Sequence, residues 1–448
     1  MSTTTDPTAI LADLIGRAKR AGADAADAIH VHSASLSLQR RLGKPEKLER
    51  AESADLGLRV FMGKCQAIVS STDMSARALD ELLERAIAMV RVVPEDPYCG
   101  LADPAELFRG SAPSLDLVDA DEPSVEVLTE RARGAEESAL AVAGVTNSEG
   151  AEAGWGRAAV ALAASNGFAG SYVRTGHSIS VSVIAGAGTA METDYDYTSA
   201  VHAADMERPE TIGQSAGEKA VKRLNPRKVD TVQVPIVYDP RVARGLVGHL
   251  AGAIAGPSIA RKTSFLRDKL GQQVFPAAIA IVDDPHRQRG LRSKPFDGEG
   301  IANRRMAIVE GGVLKTWLLD LASARQLGLK STGHGSRGTG GPPGPSATNL
   351  YMEPGALSPA ALMADIKSGF YVTGLMGMGV NGVTGDYSQG ANGFWIEDGT
   401  LTFPVSEVTI AGNLKDMYKT LVAANDLVLR YGTDAPTLRI EGMTVAGR

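Results

Sequence analysis

The sequence predicts an α+β protein with two domains, each rich in antiparallel sheet with flanking helices. Stretches such as 28–42 and 174–182 alternate polar and apolar residues, which is typical of strands with one wet face. The dipeptides Asn166-Gly167 and Asp398-Gly399 separate neighbouring strand-like runs and predict tight hairpins, hence antiparallel pairing. We place the boundary at 226–230, which gives domains of residues 1–226 and 227–448. The second is expected to form a strand-rich, barrel-like or sandwich-like sheet.

The N-terminal domain is predicted to begin with a helix, since Asp6-Pro7 can start one and apolar residues follow at helical spacing. Ser75 is expected to cap a strongly amphipathic helix. The acidic run ETDYDY at 192–197 is expected to be a solvated loop. Further helices are predicted over 123–142 and 209–224. Strands are predicted over 28–42, 56–61, 65–71, 145–148, 158–165 and 170–185.

The C-terminal domain is predicted to be built from strands, glycine turns and short helices. Asp239 can cap a helix that starts at Pro240 and carries His249. Other helices are expected over 320–327, from 358 and over 413–422. Strands are expected over 234–238, 277–282, 305–309, 313–318, 348–352, 369–375, 383–394, 395–397, 401–403, 426–430 and 437–445.

The glycine-rich segment 331–346 is predicted to be a mobile loop of the kind that covers a groove. Its glycines spell G-x-G-x-x-G, which in a dinucleotide-binding protein follows a strand and opens a helix. The prolines at 342, 343 and 345 forbid a helix here. A nucleotide-binding function is therefore not expected from this segment.

Composition and charge restrict the classes of function. The net charge of −6 across 448 residues argues against broad nucleic-acid binding, which needs a basic face. The two cysteines exclude a disulfide framework and fit a reducing compartment. The N-terminus does not read as a signal peptide, and no run approaches the roughly 18 apolar residues of a membrane span. We expect a cytoplasmic protein with neither nucleic-acid nor membrane partners.

His249 lies on a helix that follows a strand, which is where a metallohydrolase would place its ligands. A catalytic zinc site needs about three protein ligands, a water and a carboxylate base. Arg244 has no free lone pair and Gly245 has no side chain, so neither can serve. His30 and His32 share one strand face, as a metal pair could. A self-sufficient hydrolase built from these histidines and carboxylates remains an alternative.

Several segments resemble one known family. They are GLRVFMGKCQAIVSSTDMS at 57–75, VTGDYSQGANGF at 383–394, VSEVTIAGNLKDM at 405–417 and the helical stretch 240–270. Together they are similar to the TldD/PmbA family, the "modulator of DNA gyrase" peptidases, and within it to the PmbA (TldE) branch. The resemblance implies that the His-Glu-x-x-x-His motif of the TldD branch falls on Arg244, Gly245 and His249. The TldD branch also uses a cysteine near its C-terminus, whereas this chain has none after Cys99.

The resemblance implies one subunit of a two-subunit zinc metalloprotease that cleaves unfolded or leader peptides. Zinc is expected in the TldD-type partner, and no cofactor is expected in this chain. This chain would supply the substrate groove and assemble the complex. No catalytic or metal-ligating residue is assigned to it. The alternative is a non-enzymatic homodimer that binds peptides or stabilises a partner. The residues expected to line the groove and position substrate are His249, Asp297, Glu299, His334, Asn349, Asp386 and Tyr387.

Overall fold

A six-stranded antiparallel sheet organises the N-terminal half of the chain. The computed structural model describes residues 7–377 and 379–447. The strands occur in the order β3-β2-β1-β4-β5-β6, and every neighbouring pair is antiparallel. Their bounds are β1 Ala25–Arg41, β2 Lys44–Met62, β3 Cys65–Ser71, β4 Val145–Ala164, β5 Ala169–Ala185 and β6 Glu192–Ala200.

Two pairs of helices pack side by side on one face of this sheet. Their bounds are α1 Pro7–Arg20, α2 Ala76–Val90, α3 Val125–Leu140 and α4 Pro209–Lys222. The first pair covers Ala28 and Leu58, and the second covers Leu36 and Ile179. The sheet can hold both pairs because its central strand β1 is 17 residues long, which corresponds to about 55 Å. The helices predicted at 123–142 and 209–224 are thus confirmed within two residues.

Local signals fixed α2 as predicted. The Ser75 hydroxyl accepts a hydrogen bond from the backbone N–H of Ala78 at 3.3 Å, which caps the helix. The apolar stripe Leu79, Leu82, Leu83, Ala86, Ile87 and Val90 is buried against the sheet. This packing of an amphipathic face supplies most of a helix's stability.

Two N-terminal predictions were wrong. Residues 145–164 form the single strand β4 rather than two strands, and 192–197 belongs to strand β6 rather than to a solvated loop. In β6 the acidic side chains point inward, and Asp194 is 3% exposed. Its two carboxylate oxygens accept hydrogen bonds from Arg241 at 2.7 and 3.1 Å. Arg223 pairs with Glu192 and Asp194, and Lys219 pairs with Asp196. These cations from distant parts of the chain permit an acidic strand to be buried.

The C-terminal half contains a closed five-stranded barrel and a second sheet. Its helices are α5 Pro240–Ala253, α6 Gly256–Ala260, α7 Leu321–Leu327, α8 Pro359–Met363 and α9 Leu414–Thr420. Its strands are β7 Val232–Tyr238, β8 Ile281–Asp283, β9 Met306–Glu310, β10 Val313–Leu314, β11 Gly335–Ser336, β12 Gly344–Pro345, β13 Leu350–Met352, β14 Ser368–Met376, β15 Asp386–Glu397, β16 Thr400–Asn413, β17 Val422–Ala423, β18 Thr433–Asp434 and β19 Leu438–Ala446.

The barrel follows the order β16-β15-β14-β7-β19 and closes by pairing β16 with β19. The β15–β16 hairpin turns at Asp398 and Gly399, whose φ angles of 46° and 78° suit a two-residue turn. The α+β class and the barrel-like C-terminal sheet are therefore confirmed. The strand predicted at 426–430 is absent, because the Asp434 carboxylate instead accepts the N–H groups of Arg430, Tyr431 and Gly432 in a turn.

Helix α5 lies between the barrel and the second sheet, whose strand order is β10-β9-β8-β13-β18. Asp239 caps it as predicted, accepting the N–H of Arg241 at 3.0 Å. Leu246, Val247 and Leu250 are buried in a core that both sheets share. The opposite side of α5 faces open space, and it is the starting point of the candidate site.

The helix-free face of the N-terminal sheet packs on the C-terminal half. Ile29 and Leu162 from the sheet meet Phe296 and Ile301 in a common apolar cluster. The glycine-rich segment, predicted to be a loop over a groove, contains the β11–β12 pair and enters this contact. A Cβ at Gly57 would lie 2.2 Å from the carbonyl oxygen of Thr339, so the glycine lets this segment approach β2.

Across the described ranges, no helix is both long enough and apolar enough to cross a membrane.

Candidate functional site

Three glycines form an open face on α5. Gly245, Gly248 and Gly252 recur at helical spacing, and a Cβ added to any of them would meet no atom within 4 Å. The face borders a cavity of about 560 Å³ that also contacts Arg244, Arg292 and Tyr431. We call this cavity the α5 cleft. An open glycine face of this kind allows another backbone to approach closely.

Two of the three positions that the resemblance aligned with a zinc motif, Arg244 and Gly245, lie at this cleft. The Arg244 guanidinium stacks on the Tyr431 ring, 4.4 Å from its centroid, and its Nε donates to the Arg241 carbonyl at 3.1 Å. Gly245 offers only backbone. His249 is half-buried, and burial lowers its pKa. Arg244, Gly245 and His249 therefore do not fit a metal ion, since one histidine remains of the three ligands that a site needs.

His249 faces a second cavity, of about 310 Å³, beside the barrel. Its ring stands edge-on to Tyr387 with 6.1 Å between the centroids. Tyr387 is 2% exposed, and burial raises the pKa of its phenol to about 12. Its hydroxyl donates to Gln389 Oε1 at 3.4 Å. This pair offers a neutral imidazole and a neutral phenol at neutral pH, which suits orientation of a ligand rather than proton transfer.

Asp386 is exposed and fixes the turn that precedes Tyr387. Its carboxylate accepts the Thr384 hydroxyl at 2.6 Å and the Asn413 side-chain amide at 2.9 Å. These hydrogen bonds, that from Thr384 first, lower its pKa. Asn413 also caps α9. Asp386 thus precedes the tyrosine that contacts His249, but its own carboxylate is held by Thr384 and Asn413.

Asn349 is buried and holds the loop that carries Arg292. Its side-chain amide donates to the Asp284 carbonyl at 2.7 Å and to the Ser293 hydroxyl at 2.8 Å, and its Oδ1 accepts the Arg292 N–H at 3.0 Å. Asn349 consequently acts on the cleft through Arg292, whose side chain is exposed there.

Asp297 and Glu299 are 1% and 8% exposed and brace the backbone around them. Asp297 accepts the N–H groups of Glu299 and Ile301, both at 2.8 Å, while Glu299 accepts that of Leu321 at 2.8 Å. Burial raises the pKa of Asp297. Burial, and then the neighbouring Asp297 charge, raise the pKa of Glu299 to about 8. Glu299 is thus mostly protonated at neutral pH.

His334 is 2% exposed and has both ring nitrogens engaged. Nδ1 lies 2.8 Å from the Thr332 hydroxyl and Nε2 lies 3.2 Å from Asp283 Oδ2. Asp283 also accepts the backbone N–H of Thr348 at 2.7 Å. His334 clamps the start of the glycine-rich segment, with no nitrogen left for a ligand.

A third cavity, of about 230 Å³, lies between the helix-free face of the N-terminal sheet and the C-terminal half. One wall is apolar and includes Val31, Leu162 and Phe296. The other wall carries the cationic side chains of Arg174, Arg292 and Lys294, so we call this space the cationic cavity. Arg337 also borders it, but its side chain is fully buried. The cavity shares Arg292, Ser346 and Ala347 with the α5 cleft, so the two spaces adjoin.

The remaining metal candidates lie elsewhere. His30 and His32 are half-buried on the helix-bearing face of β1, and His32 Nε2 lies 2.9 Å from Glu52 Oε1. Burial lowers the pKa of His30. Over residues 7–377 and 379–447, no three His, Cys, Asp or Glu side chains converge in a group that could hold a metal ion.

Family models account for most of the chain. The PmbA/TldA metallopeptidase domain 1, central domain and C-terminal domain match residues 26–90, 119–224 and 231–447. Metalloprotease PmbA of Escherichia coli O157:H7 is 39% identical over 427 residues, which cover 95% of this chain and 93% of that protein. This chain belongs to the PmbA/TldD family.

Two solved structures share the whole architecture of this chain. A protein from Bacteroides thetaiotaomicron named for modulation of DNA gyrase superposes with a TM-score of 0.91 at 30% identity, covering 99% of this chain and 100% of that one. TldE from Thermococcus kodakarensis superposes with a TM-score of 0.86 at 20% identity, covering 98% and 100%. The latter comparison concerns the fold alone.

Sequence reasoning missed the cationic cavity of this PmbA/TldD-family chain. The sequence places Arg174 on a strand, Arg292 and Lys294 in a loop, and Arg337 in the glycine-rich segment. No spacing rule joins residues so far apart.

Proposed function

We propose that this chain is the PmbA/TldE-type subunit of a two-subunit peptidase, in which a TldD-type partner supplies zinc. The observation that carries the proposal is the α5 cleft. Its glycine face is open, yet Arg244 and Gly245 occupy positions where metal ligand and base would be needed. The chain thus offers a groove but lacks the metal ligand and the base that cleavage needs. Its role is to position the substrate and to assemble the complex.

An extended, unfolded or leader peptide suits this groove. The glycine face of α5 leaves room for a peptide backbone, and flanking cavities offer pockets for side chains. We assign positioning roles to His249 and Tyr387 beside the cleft, and to Asn349 through Arg292. Asp297 borders the adjoining cationic cavity. Glu299, His334 and Asp386 support the loops around these spaces.

Assembly with the partner completes the proposal. We propose that the complex acts in the cytoplasm. We also propose that the domains of residues 1–226 and 227–448 meet at the cationic cavity. Without the TldD-type subunit the chain is expected to form a homodimer.

Reconstitution tests this function. The chain and a zinc-loaded TldD-type subunit are purified separately, and cleavage of an unstructured peptide is measured for each alone and for the mixture. We expect cleavage in the mixture alone, with both subunits eluting in one peak. Cleavage by the lone chain would overturn the proposal. A mixture that binds peptide without cleaving it, although its zinc is present, would favour the peptide-binding homodimer.

A further inference from the structure

Strand β2 has a long free edge at the rim of the N-terminal sheet. Its inner edge pairs with β1 along its length, whereas its outer edge pairs with β3 only from Leu56 to Met62. Among the residues that the structure describes, no strand covers the outer edge of 44–55. Residues 44–53 are all exposed, and Leu48 is 55% exposed. An exposed strand edge of this length is a template for pairing with another chain.

The backbone groups on this free edge belong to alternate residues. Ala26 of β1 faces β4, because its carbonyl accepts the N–H of Ser165 at 2.8 Å. The odd-numbered residues of β1 therefore face β2, and the register is unbroken from residue 61 to residue 47 of β2. Over this range the odd-numbered residues of β2 face β1, and the even-numbered ones face outward. The outward N–H and C=O groups of the free edge are those of Leu48, Arg50, Glu52 and Ala54.

The regular part of the free edge spans residues 47–55 and is centred on Ala51. At one end lies a β-bulge, where Glu46 has no partner opposite it on β1. At the other end Leu56 pairs with Ser71 of β3. Because a bulge bends the strand and interrupts pairing, 47–55 is the segment that a further strand can follow.

Two copies of this segment are complementary in charge. When identical strands pair antiparallel about a two-fold axis at Ala51, each residue lies opposite the one equally far from Ala51 in the other copy. Lys47 then lies opposite Asp55 of the second copy, and Arg50 lies opposite Glu52 of the second copy. The symmetry makes each of these ion pairs twice. The other opposed pairs are Glu49 with Ser53 and Leu48 with Ala54.

Neighbouring registers oppose like charges. An axis at Arg50 places two guanidinium groups opposite each other, and an axis at Glu49 or Glu52 places two carboxylates opposite each other. An axis farther along brings the bulge or β3 into the pair. Charges on an edge strand usually keep other chains away. Here their order over 47–55 instead favours one self-complementary register, centred on Ala51.

The charged side chains are free to make these contacts. Each lies on the exposed part of β2 and takes part in an ion pair that is open to solvent. Exposed ion pairs contribute little to stability, so their members can exchange partners. Within the chain these pairs join Arg50 to Glu122, Glu52 to His32 and Lys47 to Glu49.

We propose that the lone chain forms a homodimer in which the two β2 strands pair antiparallel along 47–55, about a two-fold axis at Ala51. This inference deepens the proposed function, because it names the surface of the homodimer that forms without the TldD-type subunit. The two six-stranded sheets join into one, and the backbone groups of both free edges gain partners. The pairing needs neither zinc nor substrate.

Charge reversal on the lone, full-length chain tests the pairing, with dimerisation followed by light scattering and sedimentation. Arg50→Glu places a carboxylate opposite Glu52, and Glu52→Arg places a guanidinium opposite Arg50. Each variant alone should raise the dissociation constant of the dimer at least tenfold. An equimolar mixture of the two should restore the dimer, because every opposed pair is again of opposite charge. Lys367→Glu makes the same change of charge at an exposed residue of the C-terminal half and should leave the dimer unchanged.

Oxidative cross-linking tests the register. Ala51 faces β1, so the two copies of this residue meet as a non-hydrogen-bonded pair with Cα atoms about 4.5 Å apart. A disulfide can span that separation. Ala51→Cys should therefore give a covalent dimer on oxidation. Ser53→Cys is the matched control, because its two copies lie on opposite sides of the axis and should not cross-link.

Three results would overturn the proposal. They are a lone chain that stays monomeric up to its highest soluble concentration, a dimer that survives both charge reversals, and a cross-link no stronger for Ala51→Cys than for Ser53→Cys. Any of these together with peptide cleavage by the reconstituted mixture would reject the β2 pairing and leave the peptidase assignment standing. A dimer that behaves as expected, without cleavage by the mixture, would do the reverse.

Discussion

The open glycine face of α5 predicts that alanine in place of these glycines would make the helix more stable. Gly245 and Gly248 lie inside the helix, where glycine is about 0.8–1.0 kcal/mol less favourable than alanine. An added Cβ meets no atom within 4 Å at either position. The double variant Gly245→Ala/Gly248→Ala should therefore raise the free energy of unfolding of the C-terminal half by about 2 kcal/mol.

Urea unfolding followed by tryptophan fluorescence measures this gain, since Trp317 and Trp395 both belong to the C-terminal core. Gly256→Ala is the matched control. There the Cβ would lie 2.1 Å from the Ser323 hydroxyl and 2.5 Å from its Cβ, so the control should lose about 1–3 kcal/mol. A double variant that unfolds at the same or lower urea concentration would show that the glycine face has no room for the added methyl groups.

The same face links stability to function. Gly248→Leu places a large side chain in the α5 cleft while the helix gains a better helix former. In the reconstituted mixture this variant should lower peptide cleavage at least tenfold while zinc content and complex formation stay unchanged. Full activity would mean that the substrate does not pass over this face.

Two further predictions concern buried carboxylates. Asp194→Asn leaves the Arg241 guanidinium without its counter-charge, so urea unfolding should show a loss of roughly 3 kcal/mol; a loss below 1 kcal/mol would contradict this. Glu299 has a pKa of about 8 in the folded chain against 4.5 for the free group. The folded state thus holds the proton more tightly, and stability should fall as pH rises from about 5 to 8. Glu299→Gln can still accept the Leu321 N–H and should make the free energy of unfolding less dependent on pH. If the variant has the same pH dependence as the parent chain, the raised pKa of Glu299 is rejected.

Elements with local signals were predictable from sequence. Helix α2 was found from Ser75 and an apolar stripe, and the β15–β16 hairpin from Asp398-Gly399. Each signal concerns residues within one turn or one helix, where spacing alone determines which side chains meet.

Features that depend on distant partners were not predictable. Strand β6 looked like a solvated loop because the partners of Asp194 are Arg223 and Arg241, 29 and 47 residues away. The glycine-rich segment looked like a mobile surface loop, yet Arg337 reaches Asp27, 310 residues away in sequence. Charged residues are rarely buried unless they are paired, and a sequence does not display the pairing. The cationic cavity was missed for the same reason.

We propose that zinc is held by the TldD-type partner and not by this chain, and the zinc content of each protein tests this directly. The lone chain and its complex with a TldD-type subunit are saturated with zinc, desalted and analysed by native mass spectrometry. We predict one zinc per heterodimer, none retained by the lone chain, and no change in the complex on His249→Ala. One zinc per lone chain, lost on His249→Ala, would show that this chain has a metal centre and would overturn the proposal.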